Sequence, residues 1–145
     1  MATARILVFQ TVEDAAVPAR PPGCPWPDAN VFLGGRMRRL DGGGELGIAQ
    51  ACARIGAALE AGADVPFYAE FRFDCGDVFR AEGAARVLSN DVPAAGIVLA
   101  GCALRLVDGP EGLVGGVVTS ASVFNPQGRP EAETGSTWTL HAYFE

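Results

Sequence analysis

The chain has 145 residues, 49% hydrophobic and 19% charged, with a formal net charge of -6. This is the composition of one globular domain with enough apolar side chains for its own core, and it excludes a disordered segment. The acidic balance, carried against Arg alone because no Lys occurs, repels phosphate backbones and argues against a nucleic-acid partner.

Ala4 to Val12 reads as a first strand on β-branched and aromatic residues at Ile6, Val8 and Phe9. Residues 15–30 (AAVPARPPGCPWPDAN) are dense in proline, which lacks a ladder donor, so they form a stiff loop. This loop carries Trp26 and is a candidate lid, or else Trp26 anchors it on the core. Val31 to Leu40 is a second strand, ending at the turn Asp41-Gly42-Gly43-Gly44. Leu46 to Leu59 is ambiguous. Its alanines and the stripe Ile48, Cys52, Ile55, Leu59 favour a helix, while Gly47 and Gly56 oppose one.

Phe67 to Phe73 alternates cleanly, with Phe67, Ala69, Phe71 and Phe73 on one face and Tyr68, Glu70 and Arg72 on the other. Val78 to Val87 alternates likewise, Phe79, Ala81, Gly83 and Ala85 against Arg80 and Glu82, and the turn Asp74-Cys75-Gly76-Asp77 makes the two a hairpin. With Phe73 opposite Phe79, the apolar rows merge and Glu70, Arg72, Arg80 and Glu82 gather on the far face as an ion network or as paired carboxylates. Ile97 to Leu99, Ala103 to Val107 and Leu113 to Val123 are further strands, punctuated at Pro93, Gly101 and Asp108-Gly109-Pro110. In the last, Ser136 to Phe144, Trp138, Leu140, Ala142 and Phe144 alternate with Thr137, Thr139, His141 and Tyr143. Many short strands with frequent turns predict an all-β sandwich or barrel in one domain over residues 1–145.

Cys24, Cys52, Cys75 and Cys102 show no paired metal-ligand spacing, and His141 is the only histidine. The expectation is no metal and four free thiols. The N-terminal stretch lacks a secretory pattern and no apolar run approaches the roughly 20 residues of a membrane span, so the expected location is cytoplasmic with no membrane partner.

The segments Leu40-Asp41-Gly42, Glu45-Leu46-Gly47-Ile48 and Val78-Phe79-Arg80-Ala81-Glu82-Gly83 resemble the allene oxide cyclase and dirigent class of β-barrels. Phe67-Tyr68-Ala69-Glu70 ahead of Ala81-Glu82-Gly83 is most similar, within that class, to the bacterial spirotetronate cyclases. The similarity covers about a third of the chain. The glycine-rich signature of dirigent-like proteins is reduced here to Gly101-Cys102-Ala103-Leu104-Arg105 and is interrupted by Asp108-Gly109-Pro110-Glu111-Gly112. The resemblance implies a small closed antiparallel barrel of about eight strands with an internal apolar cavity, and makes Leu46 to Leu59 mainly strand. Strands apolar on both faces, such as Leu113 to Val123, lead to the expectation of a homodimer or other homo-oligomer.

No GxSxG elbow or phosphate-binding fingerprint is present. An enzyme with few acids, bases or metals can still accelerate a cyclisation by holding a flexible polyene in its reactive shape. The resulting expectation is a cofactor-independent cyclase of polyketide-type natural products. It would fold a small, apolar, linear substrate for a four-plus-two (Diels–Alder-type) cycloaddition. The resemblance implies Tyr68 as the catalytic hydrogen-bond donor. Phe67, Glu70, Phe71, Phe73, Phe79, Trp138 and Trp26 are the candidate substrate-binding residues. The alternative is a non-catalytic, dirigent-like barrel that binds a small molecule. Alternation opposes Tyr68 to Phe67, Phe71 and Phe73, so both sets line one cavity only across a bulge.

Overall fold

The computed structural model describes residues 2–56, 60–92, 96–130 and 132–145, with backbone alone at 91 and 92. Eight strands follow one another: β1 (Thr3–Glu13), β2 (Val31–Arg38), β3 (Glu45–Ala53), β4 (Asp64–Phe73), β5 (Val78–Val92), β6 (Ile97–Asp108), β7 (Leu113–Phe124) and β8 (Gly135–Phe144). Each pairs antiparallel with its sequence neighbour, and β8 returns to β1 to close the barrel. Closure removes the free edges that an open sheet would expose, and eight strands leave an interior just wide enough for side chains or one small ligand.

The closing seam β1–β8 pairs from Thr3↔Phe144 to Val12↔Gly135, whereas β1 meets β2 only over Gln10 to Glu13. β3 is strand from Glu45 to Ala53, as the resemblance implied and against the helix reading; the Ala57–Leu59 end of that stretch lies outside the described residues. Helix propensity is a weak local preference, and two neighbouring ladders override it. Gly101 does not punctuate: β6 runs through it, and the two short segments expected there are one strand. Pro93, expected as a break, lies outside the described residues.

The hairpin β4–β5 keeps the expected parity with a different register. Phe71, not Phe73, sits opposite Phe79, and Gly76 takes the positive φ of 101° that the four-residue turn requires. A shift of two residues preserves the faces, so Phe67, Ala69, Phe71, Phe79, Ala81 and Ala85 all join the buried core. The lower half of the barrel is filled by aromatic rings meeting edge to face: Phe9 with Phe71 (5.5 Å) and Phe73 (5.6 Å), Phe73 with Phe79 (5.9 Å), and Phe79 with Phe144 (6.5 Å). Each such pair contributes about 0.5–1.5 kcal/mol beyond its burial, which makes this end a rigid floor. Arg5 reaches over Phe79 and pairs with Asp77 at 2.8 Å, capping the floor.

The proline-rich loop 15–30 is not a lid. It leaves the upper end of β1 and folds down the outside of β2, β3 and β4 as a strap. Gln50 Nε2 donates to Pro18 O (2.7 Å), Gly23 N donates to Glu70 Oε2 (2.7 Å), and a disulfide joins Cys24 to Cys52 with Cα atoms 6.3 Å apart. The four-thiol expectation is therefore corrected: Cys75 and Cys102 are free, and Cys24 and Cys52 are bonded. Spacing along the chain could not show this, because the two cysteines meet only when the strap lies on the outward face of β3. A Cβ at Gly23 would collide with the Tyr68 phenol and the Glu70 carboxylate, and one at Gly34 would stand 2.7 Å from Val17 O, so glycine at both places lets the strap lie flat.

Candidate functional site

Above the aromatic floor the barrel holds a cavity of about 120 Å³ that opens at the strap end. A single water needs only about 10–15 Å³ on this measure, so there is room for a small organic group. Its walls are the inward residues of the strands: Ala49, Ala51 and Ala53 of β3, Val65, Phe67, Ala69 and Phe71 of β4, Ala85 and Val87 of β5, and Trp138 of β8. The alanines of β3 leave the space, since a methyl group cannot reach across the barrel as a phenyl ring does. Phe71 and Trp138 stand edge to face at 5.0 Å and form the boundary between cavity and floor.

Polar side chains interrupt the apolar lining. Trp138 Nε1 donates to Thr11 Oγ1 at 3.0 Å. Ser120, Ser122 and Ser136 form a hydroxyl chain, with 2.7 Å between the first pair and 2.7 Å between the second. The backbone N–H of Cys102 donates to Ser120 Oγ at 3.2 Å. Thr11, Ser122, Ser136 and Cys102 all line the cavity. Burial pushes the Cys102 thiol up, partly offset by the Ser120 and Ser122 hydroxyls, so it stays protonated at neutral pH. These residues were missed in the sequence, although a signal was there. Thr11 shares strand parity with Phe9, Ser136 with Trp138 and Leu140, and Ser120 and Ser122 with the fully buried Val118, so each is polar at an inward position.

The expected site residues divide into three groups. Phe67, Phe71 and Trp138 line the cavity. Phe73 and Phe79 belong to the floor beneath it. Tyr68, Glu70 and Trp26 are outside the barrel wall. No bulge interrupts β4 between Phe67 and Phe71, so Tyr68 and Glu70 point away from the cavity and are buried by the strap instead. Trp26 lies in the strap with the Arg54 guanidinium 5.3 Å from its ring.

Beneath the strap Glu70 is fully buried and fully partnered. Arg72 donates to Oε1 at 2.6 Å, Arg80 lies 3.6 Å from the same oxygen, and Oε2 accepts from Tyr68 Oη (2.9 Å) and Gly23 N. Of the two readings of this face, the ion network is the one formed. Glu82, opposite Tyr68 in the ladder, is exposed and stands apart from it. Burial and the adjacent Glu70 carboxylate push the Tyr68 phenol far above its ordinary value of 10.0. Its one proton is committed to Glu70, which leaves Tyr68 no donor for a ligand and no path to the cavity. Among the described residues, no cluster of three His, Cys, Asp or Glu side chains could hold a metal ion, and no helix is long and apolar enough to cross a membrane. No protein-family model matches the chain, and no curated protein matches it.

Proposed function

We propose that the barrel is a cofactor-independent cyclase that takes the reacting segment of a linear, polyunsaturated substrate into its cavity and holds it folded for an intramolecular four-plus-two cycloaddition. The observation that carries this reading is the cavity itself: apolar, closed below by a rigid aromatic floor, open at one end, and provided with a few hydroxyls as its polar contacts. Such a site supplies proximity and excludes water, which in favourable cases removes about 7–11 kcal/mol from a barrier. Its volume suits the reacting carbons, with the rest of a longer substrate passing out through the mouth. The resemblance of Phe67-Tyr68-Ala69-Glu70 and Ala81-Glu82-Gly83 to spirotetronate cyclases supports the same class of reaction, with the Tyr68 role passing to other donors.

The test is to mix purified protein with a linear diene–dienophile substrate and follow ring formation against the uncatalysed background. Acceleration that disappears in Ala69→Trp, which fills the cavity, and that persists with chelator present supports the reading. Binding without acceleration makes the barrel a passive small-molecule carrier. The cytoplasmic location expected above is part of this proposal, and alkylation of Cys24 and Cys52 in intact cells tests it, since glutathione reduces accessible disulfides there. Self-association is proposed through the outer face of β1, β8 and β7. There Ile6 (58% exposed) and Val117 (50% exposed) flank His141 in one ladder row beside Val8 and Tyr143. Sedimentation of Ile6→Glu should give only the 15.0 kDa species.

A further inference from the structure

We infer that Thr11 and Ser136 form a two-donor clamp for a carbonyl oxygen, so that the cavity selects ligands carrying a carbonyl at its mouth-side wall. The inference rests on the cavity being a ligand site, not on cyclisation taking place there. The two residues are direct partners in the β1–β8 ladder, and both line the cavity. Side chains of directly paired residues project to the same side with Cβ atoms about 4.5–5.5 Å apart, a span that one acceptor oxygen can bridge.

The proton inventory decides what these hydroxyls can offer. A hydroxyl has one proton to donate and two lone pairs to accept with. Thr11 Oγ1 already accepts from the Trp138 indole, which can only donate, so the Thr11 proton is uncommitted. In the serine chain, Ser120 Oγ accepts from the Cys102 backbone N–H. Either oxygen of each serine pair can be the donor; because an oxygen that accepts becomes a better donor, we assign the direction that runs outward from Ser120 to Ser122 to Ser136. In that direction the first two protons are used within the chain, and the third, on Ser136, is left to point into the cavity. Both donors are thus polarised from behind, by an indole N–H and by a hydroxyl chain anchored on the backbone. Two donors converging on one point match the two lone pairs of a ketone, ester or amide carbonyl oxygen. In a cycloaddition they would withdraw electron density from an alkene conjugated to that carbonyl.

The experiment uses acetophenone and α-methylstyrene, which share a shape and differ in C=O against C=CH₂. Affinities are read from Trp138 fluorescence in a Trp26→Phe background. The ketone-to-alkene affinity ratio should fall about tenfold in Ser136→Ala and about tenfold in Thr11→Val, the loss of one good hydrogen bond each, and stay near its starting value in Thr11→Ser. The infrared carbonyl stretch of bound acetophenone should lie below its value in hexane and return toward it in Ser136→Ala. If Thr11→Val fails to fold because the indole N–H loses its acceptor, Ser136→Ala and the infrared shift decide alone. A ratio unchanged in Ser136→Ala, a carbonyl stretch equal to that in hexane, or no binding of either probe overturns the clamp. A clamp that passes in a protein without cyclisation sinks the cyclase reading alone, and acceleration with an unchanged ratio sinks the clamp alone.

Discussion

The inner and outer faces of the wall around β4 carry polar groups in opposite states. On the outside, in the group Tyr68, Glu70, Arg72 and Arg80, no buried side-chain nitrogen or oxygen is without a hydrogen-bond partner. On the inside, Thr11 accepts one hydrogen bond and keeps its proton, and Ser136 shares a single hydrogen bond with Ser122, both at the cavity wall. The outer set contains the residues of conventional acid–base chemistry, yet its saturation makes it an anchor. The inner set is chemically modest, yet its hydroxyls line an apolar cavity that a ligand can enter. Free valence toward a cavity, not intrinsic reactivity, separates a binding group from a structural one.

The largest expected effect that would sharpen this contrast is Glu70→Ala. Arg72 and Arg80 can turn to solvent, but Tyr68 Oη and Gly23 N lose their acceptor under the strap. A cost of about 4 kcal/mol in denaturant unfolding is expected, within the range for breaking a buried charge pair. Affinity for acetophenone in the folded protein should be unchanged, and a large loss there would break the distinction between the faces.

Next is the disulfide. Cys24 and Cys52 are 28 residues apart, so Cys24→Ser should cost about 3 kcal/mol, mainly by freeing the unfolded chain. Proteolysis of the native state should then begin within residues 15–30. Cutting elsewhere first would mean that the strap is held by the Glu70 network alone.

The smallest effect is Tyr68→Phe, about 1 kcal/mol for one net hydrogen bond, with no change in ligand affinity or in any cyclisation rate. Loss of rate in this variant would restore Tyr68 as the catalytic donor. The same phenol dictates behaviour in alkali. Its proton is held more tightly in the folded chain than in the unfolded one, so its contribution to stability is complete below the ordinary value of 10.0 and declines as pH rises above it. In a Tyr143→Phe background, where Tyr68 is the only tyrosine, phenolate absorbance should therefore appear above pH 10 together with unfolding. Ionisation well before unfolding would show that the strap does not seal it.

Alternation of side chains between two faces is local, repeated every second residue, and so legible without a partner strand. It grouped Phe67 with Phe71, and Trp138 with Leu140, on single faces of their strands, put Phe79 on the apolar side of its hairpin, placed the β4–β5 turn, and opposed Tyr68 to its phenylalanine neighbours; that these faces point inward came from the closed barrel. The same parity marks Thr11, Ser122 and Ser136 as polar residues on the faces that turn inward, a signal weak in sequence because a hydroxyl is equally at home on a solvated strand face. Three things were decided only by tertiary structure. The register of β4 against β5 depends on the turn geometry and differs by two residues from the pairing that the Phe73–Phe79 match suggested. The pairing of Cys24 with Cys52, and the burial of Tyr68 and Glu70, depend on where loop 15–30 comes to rest, through a contact spanning 47 residues from Gly23 to Glu70. A barrel's interior is buried by closure alone, so strand pattern suffices to identify it. Its exterior is buried only where another segment lies on it, and no periodicity in β4 encodes the path of a distant loop.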